Sequence, residues 1–125
     1  MRCILYDASM AAPQLFSVCN NTKWDELREA MLELRGKERP KWRSTNLNGF
    51  QYGYDGEWYY HFLGDGDYSD MQHVDVKSPS DACDLLVQEA IRCIGLVAKR
   101  LEPRVWRVYG YIDTTTLAEI QAPPP

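Results

Sequence analysis

The 125-residue sequence lacks the features that mark membrane proteins and general nucleic-acid binders. It has no apolar run near the roughly 20 residues that cross a bilayer. Asp7 interrupts the apolar stretch at the N-terminus, so no signal peptide is expected. The formal net charge of −4 argues against nucleic-acid binding, because clustered lysines and arginines are needed to neutralise phosphates. We therefore expect a cytoplasmic protein with no membrane or nucleic-acid partner.

Cysteine and histidine are also scarce. The four cysteines form no C-x-x-C motif, which argues against a zinc site. Cys83 and Cys93 would lie about 15 Å apart along one helix, beyond disulfide reach, so reduced thiols are expected. The two histidines are His61 and His73. No third ligand stands at a defined spacing from them, and neither a metal site nor a cofactor is predicted.

A histidine beside a carboxylate is a possible general base. Glu57 shares a predicted sheet face with His61, and Asp75 shares one with His73. Because no nucleophile-and-base geometry can be named, we predict no catalytic residue. A small His/carboxylate enzyme is kept as an alternative.

What is present indicates a folded domain. Hydrophobic residues make up 45% of the chain and charged residues 26%, a globular composition. The length suits one domain over residues 1–125. Within it, residues 1–20 are read as an N-terminal extension and residues 114–125 as a frayed tail.

Two helices are predicted from periodicity and capping residues. The first begins at Thr22, buries a stripe that includes Trp24, Leu27 and Met31, and ends at Gly36. The second begins at Ser78-Pro79 and continues to Leu101.

Four strands and two turns are predicted between these helices. Asn48-Gly49 and Asp55-Gly56 are typical of two-residue type I′ hairpin turns. The fold class expected is α+β, with an antiparallel β-meander of about four strands plus a C-terminal strand, packed against two helices. The strands are predicted at Lys41–Leu47, Phe50–Tyr54, Glu57–Leu63, Met71–Lys77 and, at the C-terminal end, Val105–Ile112.

The tight turns would also set the strand register. They place Tyr52 opposite both Thr45 and Tyr59, on a tyrosine-rich face that includes His61. Tyrosine has an apolar body and a polar tip, so this face could stand in water and bind a partner. Equally, helices could cover both faces of the sheet.

Negative charge is concentrated in the segment Asp55–Asp84, which holds eight acidic residues and the single base Lys77. Asp55 and Asp81 have predicted roles in a turn and a helix start. The other acids favour association with a basic partner. The predicted partner-binding residues are Tyr52, Glu57, Tyr59, His61, Asp65, Asp67, Tyr68, Asp70 and Asp75.

Two stretches carry a family resemblance. Asn21–Leu27, opening a helix, and Tyr54–Phe62 resemble small, uncharacterised bacterial domains similar to the immunity proteins encoded beside polymorphic or secretion-delivered toxins. The resemblance covers roughly residues 21–77 and supplies no catalytic residue. It implies a cytoplasmic protein that neutralises a cognate toxin, such as a basic nuclease, by occluding its active site. A small adaptor or subunit of a phage or secretion assembly is the alternative, and a monomer and a homodimer are both compatible with the sequence.

Overall fold

A computed structural model describes residues 14–34, 39–58 and 68–122 of the chain. These ranges contain three helices and two antiparallel sheets, which confirms the predicted α+β class. In chain order the elements are β1 (Phe16–Ser17), α1 (Asn21–Glu33), β2 (Lys41–Asn46), β3 (Met71–Lys77), α2 (Asp81–Ile94), β4 (Ala98–Glu102), β5 (Val105–Tyr109), β6 (Tyr111–Ile112) and α3 (Thr114–Gln121).

Helix α1 has the predicted buried stripe but a different cap. Trp24, Leu27 and Met31 are all buried. The cap is Asn20 and not Thr22, because the Asn20 side chain accepts a hydrogen bond of 2.8 Å from the amide of Lys23. The helix ends at Glu33, and the predicted stop at Gly36 lies outside the described residues.

Helix α2 is shorter than predicted at both ends. Its cap is Ser80, whose hydroxyl accepts from the amide of Cys83 at 3.1 Å, so the predicted start at Ser78 was wrong. Gly95 stops the helix in the left-handed region, at φ 82°. The chain then folds back as the exposed strand β4, and the predicted helical path to Leu101 was wrong.

The larger sheet has the order β2-β3-β5-β4, so the predicted sequential meander was wrong. Strand β3 pairs with β2 on one side and with β5, about 30 residues later in the chain, on the other. Within the predicted strand at residues 50–54 only Gln51 forms a bridge, to Thr45, and a second isolated bridge joins Asp55 to Trp42. Most of the predicted strand at residues 57–63 lies outside the described residues.

Gly110 divides the predicted C-terminal strand into β5 and β6. Its amide donates to the carbonyl of Gln72 at 2.7 Å, and a Cβ at this position would lie 2.3 Å from the carbonyl oxygen of Met71. Because any side chain would collide with this backbone atom, the approach requires glycine.

Residues after β6 are more ordered than expected. Asp113 caps α3 by accepting a hydrogen bond of 2.6 Å from the amide of Thr116. The prediction of a frayed tail over 114–125 was therefore wrong for residues 114–121, and residues 123–125 lie outside the described ranges.

One face of the larger sheet packs against α1 and α2. Val74 and Val76 of β3 are fully buried there, together with the α2 residues Cys83 and Val87. Because side chains alternate along a strand, His73 and Asp75 lie on the opposite face. No helix within the described ranges is long and apolar enough to cross a bilayer.

Candidate functional site

The segment 47–57, here called the arm, follows β2 and begins with a tight loop. The amide of Gly49 donates to the carbonyl of Asn46 at 2.9 Å, and the amide of Asn46 donates to the carbonyl of Phe50 at 2.9 Å. Gly49 has φ 90°, whereas Asn48 is not among the non-glycine residues with positive φ. A type I′ turn needs positive φ at both central residues, so the loop has three residues, 47–49, and the predicted two-residue turn was wrong.

This longer loop changes the register beside it. Thr45 bridges to Gln51, not to Tyr52 as predicted. Further from the loop, Trp42 bridges to Asp55, and this pair agrees with the predicted alignment. The one-residue shift in register is therefore confined to residues 51–54. Each residue from 47 to 53 is exposed, which makes the start of the arm a protruding feature.

Three apolar side chains of this protruding part form what we call the tip patch: Leu47, Phe50 and Tyr52. Their exposed fractions are 42%, 56% and 49%. The rings of Phe50 and Tyr52 pack edge to face with centroids 4.8 Å apart. The predicted partner-binding residue Tyr52 therefore lies on the surface, beside an apolar neighbour.

Two of the predicted acids lie near the arm and face solvent. Asp70 is exposed, and its carbonyl accepts from the amide of Leu47 at 2.8 Å, which places it next to the tip patch. Glu57 is exposed at the far end of the arm. The Asp55 carboxylate accepts from the Glu57 amide at 2.8 Å, but neither Asp55 nor Gly56 has positive φ, so the type I′ turn predicted there was wrong.

Tyr68 does not belong to this surface, and its prediction as a partner-binding residue was wrong. Its side chain is only 2% exposed and packs against Trp24 of α1, with ring centroids 6.2 Å apart. Its hydroxyl donates a hydrogen bond to the carboxylate of Asp25. Tyr68 is therefore part of the core and not of the exposed surface.

Asp75 was likewise wrongly predicted as a contact residue, because it has no exposed surface. It stands between two arginines that face it across the neighbouring strands. Arg43 Nε donates to Asp75 Oδ2 at 2.9 Å, and Arg107 donates to both carboxylate oxygens at 2.8 and 3.1 Å. Burial opposes ionisation, but the hydrogen bonds from Arg107 and Arg43 outweigh it and lower the pKa of Asp75.

His73 lies next to this ion network. Burial, reinforced by the positive charge of Arg107, lowers the pKa of His73 to about 4. Neither ring nitrogen has a hydrogen-bond partner among the described residues, and the ring packs against Tyr109 with centroids 6.1 Å apart. A buried imidazole with so low a pKa is a weak base that a substrate cannot readily approach, which disfavours general-base catalysis.

Two other acids of the segment 55–84 are internally neutralised. The carboxylate of Asp84 accepts two hydrogen bonds from Arg100, at 2.9 and 3.2 Å. Asp81 pairs with Arg104 at 2.9 Å. The negative charge left for a partner is therefore smaller than the sequence suggests.

The thiol of Cys19 is not an activated nucleophile. It lies at the start of α1, in a pocket of about 490 Å³ that Trp24 and Tyr68 also line. Burial raises the pKa of Cys19 to about 11, so the protonated form dominates at neutral pH.

The predicted partner-binding residues are thus only partly brought together. Tyr52, Glu57 and Asp70 lie on or beside the arm, whereas Tyr68 and Asp75 are internal. Phe50 and Leu47 were not among the predicted contacts, although Asn48-Gly49 indicated that a loop would expose its neighbours. Tyr59, His61, Asp65 and Asp67 lie outside the described residues, and their predicted roles stay predictions.

Comparison with known proteins gives a family but no activity. A model of the Family of unknown function (DUF6678) matches residues 6–115, so the chain belongs to this family. No curated protein and no solved structure matches the chain.

Proposed function

We propose that this member of a family without an assigned activity is an immunity or inhibitor protein, which binds a cognate toxin through the tip patch and covers the toxin's active site. The protein would act in the cytoplasm, where such a toxin must be held inactive.

The observation that carries this proposal is the exposure of Phe50 and Tyr52. Exposed aromatic side chains that pack on each other lose little conformational entropy on binding and supply much of the energy at protein interfaces. Both residues protrude on the arm, which directly follows β2 and bridges back to it, so the larger sheet holds the patch in place.

Charge beside the patch indicates the character of the partner. Among the described residues, Asp70 and Glu57 form no ion pair. They would face the partner as uncompensated carboxylates. A toxin with an apolar pocket edged by lysines and arginines fits this combination, because complementary charge speeds association.

The test uses the protein encoded by the gene immediately upstream. The purified product would be titrated with the wild-type chain and with the double variant Phe50→Ser/Tyr52→Ser. We expect the wild type to form a 1:1 complex and to restore growth of cells that express the product. The double variant should bind about 100-fold more weakly, since two interface aromatics are lost.

A matched control removes exposed apolar surface elsewhere. Leu85 and Leu86 on α2 are 65% and 51% exposed, and the variant Leu85→Ser/Leu86→Ser should bind like the wild type. Equal weakening by both double variants would contradict a role for the tip patch. A homodimer that covers Tyr52 would support the adaptor alternative instead.

A further inference from the structure

A second surface lies at the opposite end of β2 from the tip patch. It is a pocket of about 460 Å³, within the range of roughly 300–1,000 Å³ typical of small-molecule sites. Its lining combines cations with an aromatic ring, a hydroxyl and a proline: Arg39, Lys41, Tyr54, Lys77, Ser78 and Pro79.

Two of the lining cations are placed unfavourably for the folded chain alone. Lys41 and Lys77 are direct partners in the β2–β3 register, at the end of the sheet. Like charges directly opposite each other destabilise a strand pair. Neither lysine forms an ion pair with a described residue. A bound anion would convert this repulsion into attraction.

Arg39 adds a third positive charge and is held in place. Its Nε donates to the carbonyl of Leu34 at 3.0 Å, and a terminal nitrogen donates to the carbonyl of Leu32 at 3.2 Å. These acceptors are neutral, and no carboxylate in the described part of the chain pairs with the guanidinium. The described lining therefore contains three cations and no carboxylate, in a chain whose net charge is −4.

Ser78 provides an independent sign of a missing ligand. Its side chain is 4% exposed, and the buried Oγ has no hydrogen-bond partner among the described residues. Buried hydroxyls are nearly always paired, because an unpaired one loses its bonds to water. The Ser78 amide is already engaged, donating to the carbonyl of Arg104 at 2.8 Å, so the residue is fixed with its hydroxyl unused.

The remaining wall of the pocket includes an aromatic ring. The Tyr54 ring has the guanidinium of Arg43 4.6 Å from its centroid and Lys77 Nζ 5.4 Å from it, and these contacts fix its orientation. Pro79 lines the pocket as well. A ligand with both an anionic group and a ring would use both parts of the lining.

We propose that this pocket binds a small aromatic phosphate monoester: Lys41, Lys77 and Arg39 neutralise the phosphate, the Ser78 hydroxyl donates to it, and the ring lies against Tyr54 and Pro79. A phosphate monoester carries nearly two negative charges at neutral pH and matches several cations better than a carboxylate does. The site shares no residue with the tip patch, and its lysines stand at the end of β2 that lies about 17 Å from Asn46.

The test is calorimetric titration at low ionic strength with phenyl phosphate, inorganic phosphate and phenol. Phenyl phosphate should bind most tightly, inorganic phosphate more weakly, and phenol not measurably. Lys77→Gln and Lys41→Gln should each weaken phenyl phosphate binding by about tenfold, the size of one charge-assisted contact. Ser78→Ala should weaken it by a smaller factor.

Lys99→Gln is the matched control, because Lys99 is also an exposed lysine on a strand of the same sheet. It should change the affinity by less than about twofold, as expected for a remote, screened charge. Equal weakening by Lys99→Gln, equal binding of phenol, or unchanged binding by both Lys41→Gln and Lys77→Gln would each overturn the proposal.

Thermal unfolding gives a second readout. Phenyl phosphate should raise the unfolding midpoint of the wild type in a concentration-dependent way, and should not raise that of the double variant Lys41→Gln/Lys77→Gln. Since both lysines are exposed, the variants should fold normally without the probe. An equal midpoint shift in wild type and double variant would also refute the site.

Discussion

The two ends of β2 present opposite chemistry. At the Asn46 end the chain exposes aromatic rings beside Asp70, whose carboxylate forms no ion pair with a residue that the structure describes. At the Lys41 end it gathers three cations around the Tyr54 ring. Between them, Arg43 forms the ion network with Asp75 and Arg107 on one face of the sheet.

This difference shows that a run of charge in a sequence does not locate a charged surface. The segment 55–84 is mostly acidic in sequence, yet Asp75, Asp81 and Asp84 are each paired with an arginine from outside the segment. The same segment contributes Lys77 and Ser78 to the positive pocket. Pairing across strands, and not order along the chain, decides which charges reach a partner.

The largest effect is expected from Asp75→Asn, in the ion network between the two ends of β2. The substitution leaves two half-buried guanidinium groups without a counter-charge, and we expect the free energy of unfolding to fall by about 3 kcal/mol. Urea unfolding followed by circular dichroism measures it. Asp70→Asn, an exposed counterpart, should change the stability by less than about 0.5 kcal/mol. Equal effects would mean that the ion network contributes nothing.

Acid should also lower the stability of the fold, through His73 on the same face of the sheet as Asp75. The folded pKa of His73 is about 4, below its unfolded value, so the unfolded chain binds the proton more readily. Stability is therefore full above about pH 6.5 and is lost as the pH falls toward 4, by about 3 kcal/mol in all. The lowered pKa of Asp75 adds to this loss at still lower pH.

The pH dependence can be assigned with His73→Phe. This variant keeps an aromatic ring against Tyr109 but cannot be protonated, so its stability should vary much less between pH 6.5 and 4. Unfolding curves at several pH values, compared with the wild type, test this. An unchanged slope in the variant would show that another group is responsible.

At the Asn46 end of β2, Asp70→Lys tests the role of negative charge through the rate of association with a partner. Reversing this charge should slow association with a basic partner by about tenfold at low salt, and the difference should disappear at high salt. Stopped-flow or surface-based rates measure it. Glu29→Lys, an exposed reversal on α1, makes the same change in net charge and should have a smaller effect. Identical slowing would point to net charge alone.

At the Lys41 end the expected effect is smallest. Lys41→Gln removes the repulsion with Lys77, and without any phosphate the free energy of unfolding should rise by about 0.5 kcal/mol. Thermal melts in a phosphate-free buffer measure it. A decrease in stability would indicate that the lysine pair is already compensated in the folded chain.

The sequence identifies the helices of this fold better than it identifies which strands pair with one another. The stripe of Trp24, Leu27 and Met31 depends on helical periodicity, which is a property of neighbouring residues, and the structure has it as predicted. Strand β4 was missed because the apolar spacing of α2 continues to Leu101, and the stop signal at Gly95 was passed over. A better reading of that glycine would have ended the helix correctly.

The surface residues were harder to assign because burial is decided by distant partners. Asp75 is covered because Arg43 and Arg107, each 32 residues away, stand on both sides of it. Tyr68 is drawn into the core by Trp24 and Asp25. The residues that neighbour Asp75 and Tyr68 in the sequence give no indication of these contacts. The sequence left the exposure of Tyr52 open, and the register used to place this residue was one residue out.

The close approach of Gly110 to Met71 has an evolutionary consequence. A side chain at this position would meet a backbone oxygen that cannot rotate away, so no compensating change elsewhere can easily restore the fit. Family members that keep the β3–β6 approach should retain glycine at this position, however far their surfaces diverge. The position thus offers a way to recognise distant relatives by architecture even after the surfaces at both ends of β2 have changed.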